Sequence, residues 1–358
     1  MITIKSIAKE ANVSEGTVDR VLHDRGGVSK KTEERVKKIL KKHNFKVNPV
    51  ARALAMKNKF NLLTLMPNYD RDNLFWKSPY LGILEASAEV KNYGVTVINY
   101  FFDQFDSDSY LNQFEALMDA KPSAVVIVPT FAKETKQIVD RLEKLEIPYL
   151  FFNIDLEGFD NISFIGQDSY MGGYVAGKLM HLSLGDQTSS LIVQSRLNVN
   201  NYYAISKRIE GFNDYFKKNK IKNECMTLSI DNLNDAAYTK EKINSFLEQH
   251  DSIKGIFVPS SRISTIVEAI KDSSLKKCQL IGFDNTEQNI QCLENDSVSF
   301  LISQKPFEQG YESIRLMTDF LVKHKKPADK IYSPIDILTK ENARYNERNE
   351  REFQHNDN

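Results

Sequence analysis

The sequence predicts an α/β protein in two unequal parts. A small all-α helix-turn-helix headpiece with a short hinge helix comes first. A doubly wound, largely parallel α/β body in two lobes follows. Three observations carry this reading. Charge is split along the chain: residues 1–60 hold 15 Lys and Arg against 6 Asp and Glu, and the remainder holds 33 against 42, although the whole sums to zero. The basic stretch carries short amphipathic helices broken by tight turns. Beyond Phe60, apolar strand runs alternate with amphipathic helices, the signature of βα units.

The first helix starts at Thr3 as N-cap and turns Ile4, Ile7, Ala8 and Ala11 to one face. Ala11-Asn12-Val13 makes a short turn. Ser14 caps a second helix with Val18, Val21 and Leu22 inward, and Gly26-Gly27 ends that segment. Ser29 caps a third, with Val36, Ile39 and Leu40 inward and six lysines, from Lys30 to Lys42, outward. Three short helices around one tight turn fit a helix-turn-helix unit, whose second helix enters the DNA major groove. A basic module on an acidic body points to a polyanion partner for the module alone. Asn48 as N-cap and Pro49 at N1 open a hinge helix of about two turns, too short to persist alone in water.

In the body, strands are expected at Leu62–Met66, Val95–Tyr100, Ala124–Val128, Tyr149–Phe152, Ser190–Val193, Gly255–Val258 and Gln279–Phe283. Helices are expected at 78–93, 108–119, 133–145, 171–182, 202–218, 235–249, 261–271 and 305–324. So many βα units exceed one comfortable sheet, so two lobes are expected, with ligand bound at the carboxyl ends of the strands. The expected boundaries are 1–47 for the headpiece, 48–59 for the hinge helix and 60–340 for the body. The N-lobe takes about 60–164 and 305–332, the C-lobe about 165–303 and 333–340, and 341–358 is a polar tail.

Cys225, Cys278 and Cys292 lack C-x-x-C spacing, so neither a disulfide framework nor a zinc site is expected. No cofactor is implied. Met1 leads straight into an amphipathic helix, and no apolar run reaches a membrane span, so a cytoplasmic location without membrane association is expected. Gly172 to Leu179 resembles a phosphate-binding G-x-x-x-x-G-K-[ST] loop. Its last position is Leu, and it runs inside a predicted helix, so close helix packing is the better reading.

The headpiece residues resemble the lactose-repressor (LacI/GalR) family of bacterial regulators. The resemblance rests on Thr3-Ile4-Lys5-Ser6-Ile7-Ala8, Val13-Ser14 with Thr17-Val18 and Arg20-Val21, Val28-Ser29 with Thr32 and Arg35-Val36, and Asn48 with Ala51-Arg52 and Leu54. The body is similar, more diffusely, to the periplasmic-binding-protein-like (type I, ribose-binding-type) sensor that the family carries. There the matching stretches are Arg208 to Phe212, Ile281 to Asp284, and Ile302 to Pro306 with Gly310. Asp19 and Gly16 depart from the pattern, a small residue being usual at the first and a larger base reader at the second.

The resemblance implies a homodimeric regulator, a repressor, that reads double-stranded operator DNA and answers a small-molecule effector, a sugar or sugar derivative. Glu15, Gly16, Thr17 and Arg20 stand where a recognition helix meets base edges, Glu accepting from cytosine N4 and Arg donating to guanine. Glu15 and Thr17 serve equally well as first-turn residues supporting Ser14. Ser6, Ser14, Ser29 and Lys30 suit phosphates, and Asn48 and Arg52 belong to the hinge. Leu54 matches the family's minor-groove wedge, the alternative being that it packs on the body.

For the effector, Asn73, Phe75 and Trp76 resemble the aromatic platform of sugar-binding relatives, while Asp155, Arg208, Asp284 and Gln304 match polar contacts. Ser260, with Ser261, replaces the usual Asn, and Leu156 replaces a frequent Arg. The structural alternatives are a loop core for Trp76, a helix salt bridge for Arg208 and a helix cap for Asp284. A solute-binding protein without DNA function is the alternative reading. An enzyme is disfavoured, since no nucleophile–base motif or metal cluster is legible.

Overall fold

The computed structural model describes residues 3–22, 26–43, 45, 59–70, 74–194 and 203–345. The expected hinge helix, with Asn48, Arg52 and Leu54, and Asn73, expected to bind the effector, lie outside the described residues. The chain divides into a unit ending at Lys57 and a second unit beginning at Asn58.

The first unit holds α1 (Ile4–Ala11), α2 (Glu15–Leu22) and α3 (Lys30–Lys42). A capping box starts α1: Thr3 Oγ1 accepts from Ser6 N–H, and Ser6 Oγ accepts from Thr3 N–H. Asn12 ends α1 in the left-handed region, φ 51°, which Asn tolerates better than most residues. Ser29 Oγ caps α3 by accepting from Thr32 N–H. Ile7, Ala8, Ala11, Val18, Val21 and Val36 form the buried centre, with Ile39, Leu40 and Phe45 packed around it. Glu10 fastens α1 to the end of α3 through Lys42 (2.9 Å) and His43 (2.7 Å).

The body contains two six-stranded sheets, one per lobe. The N-lobe sheet runs β11-β5-β4-β3-β1-β2, from β1 (Phe60–Pro67), β2 (Val95–Phe102), β3 (Ala124–Ile127), β4 (Tyr149–Phe152), β5 (Phe164–Gly166) and β11 (Lys330–Tyr332). The C-lobe sheet runs β12-β10-β9-β8-β6-β7, from β6 (Gln187–Gln194), β7 (Lys222–Ser229), β8 (Gly255–Phe257), β9 (Gln279–Phe283), β10 (Phe300–Ser303) and β12 (Asp336–Leu338). Among the described residues, all pairings are parallel except β10–β12.

Strand alternation feeds two cores in each lobe. Leu62, Met66, Val126 and Phe152 pack on one face of the N-lobe sheet, and Leu63, Leu65, Val125 and Phe151 on the other. In the C-lobe, Leu191, Ile256 and Leu280 face one side, and Ile192, Phe257 and Ile281 the other. Cys292 is buried, and Cys225 and Cys278 are half-buried, all as free thiols.

The helices are α4 (Lys77–Val90), α5 (Ser107–Asp119), α6 (Ala132–Lys144), α7 (Ser169–Leu184), α8 (Tyr203–Lys218), α9 (Ala236–Gln249), α10 (Ile263–Ala269), α11 (Asp272–Leu275), α12 (Glu287–Glu294) and α13 (Pro306–Lys323). The glycine-rich stretch from Gly172 lies inside α7. A Cβ on Gly173 would fall 1.9 Å from the Arg208 carbonyl oxygen, so glycine here brings α7 and α8 into backbone contact. That is helix packing and not a phosphate loop.

The chain crosses between lobes three times: at Gln167, at Gln304-Lys305, and between Tyr332 and Asp336. Gln167, 1% exposed, gathers all three, its Nε2 donating to Ser303 O at 2.9 Å and to Pro334 O at 3.4 Å. The polar tail does not begin at Glu341, because Ala343 is buried in the C-lobe core and Asn342 ties the turn to Thr339 and Ile337.

Candidate ligand cleft and nucleic-acid interface

The loops after the strands meet in a cleft of about 290 Å³, at the small end of the roughly 300–1,000 Å³ usual for ligand sites. The two lobes supply equivalent positions. Gln104 and Phe105 follow β2 as Asp231 and Asn232 follow β7; Thr130 follows β3 as Ser260 and Ser261 follow β8. Asn153 follows β4 as Asp284 follows β9, and both adopt left-handed backbone, φ 69° and 70°. That conformation turns a short polar side chain inward as the chain leaves the sheet, and Asn and Asp accept it most readily.

Phe75 and Trp76 sit in a 3-10 turn before α4, on the N-lobe wall. Trp76 is both wall and core. It is 6% exposed, packs edge-on against Phe75 at 4.9 Å and Phe152 at 6.5 Å, and donates Nε1–H to Gln104 Oε1 at 3.2 Å.

Facing it, Arg208 projects from α8. Its guanidinium lies over the Phe283 ring, 3.9 Å from the centroid, and Nη1 donates to Pro259 O at 2.9 Å. Its Nε is buried without a partner among the described residues, as are Ser260 Oγ and Thr130 Oγ1, each an unmet hydrogen-bonding atom of the cleft wall. Asp284 is buried and accepts from Gln304 Nε2 at 2.5 Å. Burial pushes its carboxyl up to about 6, against the opposing pull of Arg208 and the Gln304 hydrogen bond. Burial lowers Arg208 to about 10, with Asp284 pulling the other way. Burial thus works against the charge of each, and the opposite charge of the other partly offsets it.

The cleft thus brings together Phe75, Trp76, Arg208, Ser260, Asp284 and Gln304. Asp155 is not among its lining residues. Its carboxylate pairs with Lys330 Nζ at 2.6 Å and meets Tyr332 Oη at 3.5 Å, tying the β4 loop to β11. Asn153, two residues earlier, holds the position in the cleft that the sequence reading gave to Asp155. Leu156 is buried in the N-lobe core. Gln104, Thr130 and Asn153 were missed by the sequence reading. The usable signal was simple: each stands just past an apolar strand run, as Asp284 does.

On the headpiece, α2 presents Glu15 and Arg20 as exposed side chains and Gly16 as exposed backbone, with Thr17 and Asp19 half-buried. A Cβ on Gly16 would meet only Ser14 Oγ at 3.8 Å, so packing does not require glycine there. Ser14 Oγ accepts from Thr17 N–H at 3.1 Å and shares a 2.9 Å bond with Thr17 Oγ1. Ser6 and Ser29 are likewise engaged as cap residues, and Lys30 opens α3 as an exposed residue. Each hydroxyl is therefore oriented by the helix start it stabilises, at the surface.

Among the described residues, no helix is long and apolar enough to cross a membrane, and no group of three His, Cys, Asp or Glu is placed to hold a metal.

Two domain families match. Residues 3–48 match the bacterial regulatory proteins of the lacI family, and residues 64–326 match the periplasmic binding protein domain. Along nearly the whole length, the chain is 26% identical to a ribose operon repressor of Halalkalibacterium halodurans, covering 98% of this chain and 99% of that protein. It is 22% identical to catabolite control protein A of Priestia megaterium, covering 94% and 97%. A crystal structure of a putative LacI transcriptional regulator from Bacteroides fragilis superposes with a TM-score of 0.73 at 28% identity, over 80% of this chain and 99% of that one. These relatives favour a regulator over a solute-binding protein without DNA function. Residues 3–48 thus form a lacI-family headpiece, the body belongs to the periplasmic binding protein domain family, and the chain is a ligand-responsive DNA-binding regulator with that domain as its sensor.

Proposed function

We propose that the effector is a small sugar or sugar derivative held between the lobes, and that its binding changes operator affinity. The observation that carries this is the cleft's division of labour: an aromatic wall at Phe75 and Trp76 opposite the buried Arg208, Asp284 and Gln304. Sugars offer C–H faces to rings and hydroxyls to carboxylates and guanidinium groups. The unmet Arg208 Nε and the unmet hydroxyls of Thr130 and Ser260 are suited to ligand oxygens. D-ribose is the first candidate, because a ribose operon repressor is similar over the full length.

In this reading the protein is a cytoplasmic homodimeric repressor without catalytic activity. Effector closes the lobes about the three crossovers and thereby biases a DNA-competent state, a coupling that operates in both directions. Glu15, Thr17 and Arg20 read bases, Lys30 and Arg52 meet phosphates, and Leu54 wedges the minor groove. Calorimetry on the full chain with D-ribose and a panel of pentoses, hexoses and polyols tests the site. Binding of at least one, lost in Arg208→Ala, is the expected result. A panel in which none binds contradicts the sugar reading.

A further inference from the structure

Gln309 lies in the first turn of α13, fully buried, and is not among the residues lining the cleft. Both ends of its amide nevertheless hold cleft residues. Nε2 donates to the Gln304 carbonyl at 2.7 Å, and Oε1 receives Asn153 Nδ2 at 3.1 Å. The first bond fixes which way round the amide sits, because a backbone carbonyl only accepts. Oε1 must then face Asn153, which meets it with its NH2. The Asn153 carbonyl is left on the side of the cleft. Gln304 obeys the same logic: its Nε2 is committed to Asp284, so its Oε1 remains to accept. A hydrogen-bonded string therefore runs from Asn153 in the N-lobe, through Gln309 and the Gln304 crossover, to Asp284 in the C-lobe.

We infer that Gln309 is a positioning residue that sets the specificity of the site. It turns Asn153 so that the N-lobe, the crossover and the C-lobe each offer the effector an acceptor, and the cleft selects molecules with several hydroxyl donors over deoxygenated or O-methylated analogues. This rests on the sugar reading above. An apolar residue at 309 would leave the Asn153 amide free to turn either way and would unhook Gln304.

The test uses four full-length proteins: the parent, Asn153→Asp, Gln309→Leu and the double variant, with Gln309→Met replacing Gln309→Leu should that variant not fold. Thermal unfolding at pH 8 without ligand reads the amide orientation. In the parent background Asn153→Asp sets a carboxylate against the Gln309 carbonyl, so the midpoint falls by several degrees. With Gln309→Leu present, the same change costs less than half as much. The reverse orientation would give a parent that tolerates Asn153→Asp, and equal losses in both backgrounds would mean no coupling. Either result overturns the inference. Calorimetry with D-ribose, D-glucose, D-galactose and L-arabinose reads specificity. For whichever binds, Gln309→Leu weakens affinity about ten-fold, the scale of one net hydrogen bond. Asn153→Asp then restores much of it, because a carboxylate accepts in either orientation. If none of the four binds the parent, the sugar reading fails, and the unfolding experiment alone decides the role of Gln309.

Discussion

Asp284 and Arg208 carry the chemistry of the cleft at the scale of single residues. Each is nearly inaccessible, and burial penalises the charge of both. The Asp284 value near 6 gives a pH signature. A ligand hydroxyl donating to the carboxylate binds its ionised form, so affinity holds above pH 6 and weakens as pH falls through it, toward about ten-fold per unit. Calorimetry between pH 5 and 8 checks this, with Asp284→Asn expected to bind weakly and without that slope. Arg208→Ala removes a buried, partly unmet donor and should cost effector affinity about 100-fold, a loss of about 3 kcal/mol, while DNA affinity stays within two-fold. Parallel loss of both activities would instead mark Arg208 as structural. The sequence made Arg208, Asp284 and Gln304 legible because each sits in a recognisable stretch. It misdirected attention to Asp155, since charge attracts notice while backbone direction decides. Asn153 leaves the strand with left-handed φ and turns into the cleft, and Asp155 is already out at Lys330.

Elements position these residues through helix pairs that touch at glycine. In the C-lobe, Gly173 admits the Arg208 carbonyl, and in the N-lobe Gly82 and Gly310 bring α4 against α13 in the same manner. Gly173→Ala cannot be accommodated without parting α7 from α8. It should lower stability by about 2–3 kcal/mol and displace Arg208, seen as a lower unfolding midpoint together with weaker effector binding. In the headpiece, Ser29→Ala deletes the α3 cap and should cost about 1 kcal/mol of headpiece stability. The longer helices were readable to within a few residues because their apolar period persists over several turns, whereas the short α11 and α12 were not placed. The strands β5, β10, β11 and β12, three or four residues each, escaped notice. The edge strand β7 was missed because its mixed, half-exposed side chains carry no apolar run.

For the whole molecule, the polarity of charge along the chain and the three crossovers define the device. A headpiece segment with an excess of 9 positive charges on a body with the same excess of negative ones confines polyanion binding to one end. DNA affinity should therefore fall steeply with salt, with a log–log slope of about −0.9 for each phosphate neutralised. Leu54→Ala should weaken selective binding far more than non-selective binding, at unchanged effector affinity. The repeated lobe plan was legible from the count of βα units. The cleft's equivalent positions were not, because they depend on which sheet receives each strand after the chain crosses over. If one molecule couples effector binding to DNA selection, both activities must be visible in a single experiment. The most direct measurement is recovery of genomic fragments by the full-length protein, with and without the sugars that bind it. The expected result is enrichment of fragments sharing a palindromic site, with occupancy changed at least ten-fold by one of those sugars. No enrichment over random fragments, or sugar binding that leaves occupancy unchanged, would contradict it.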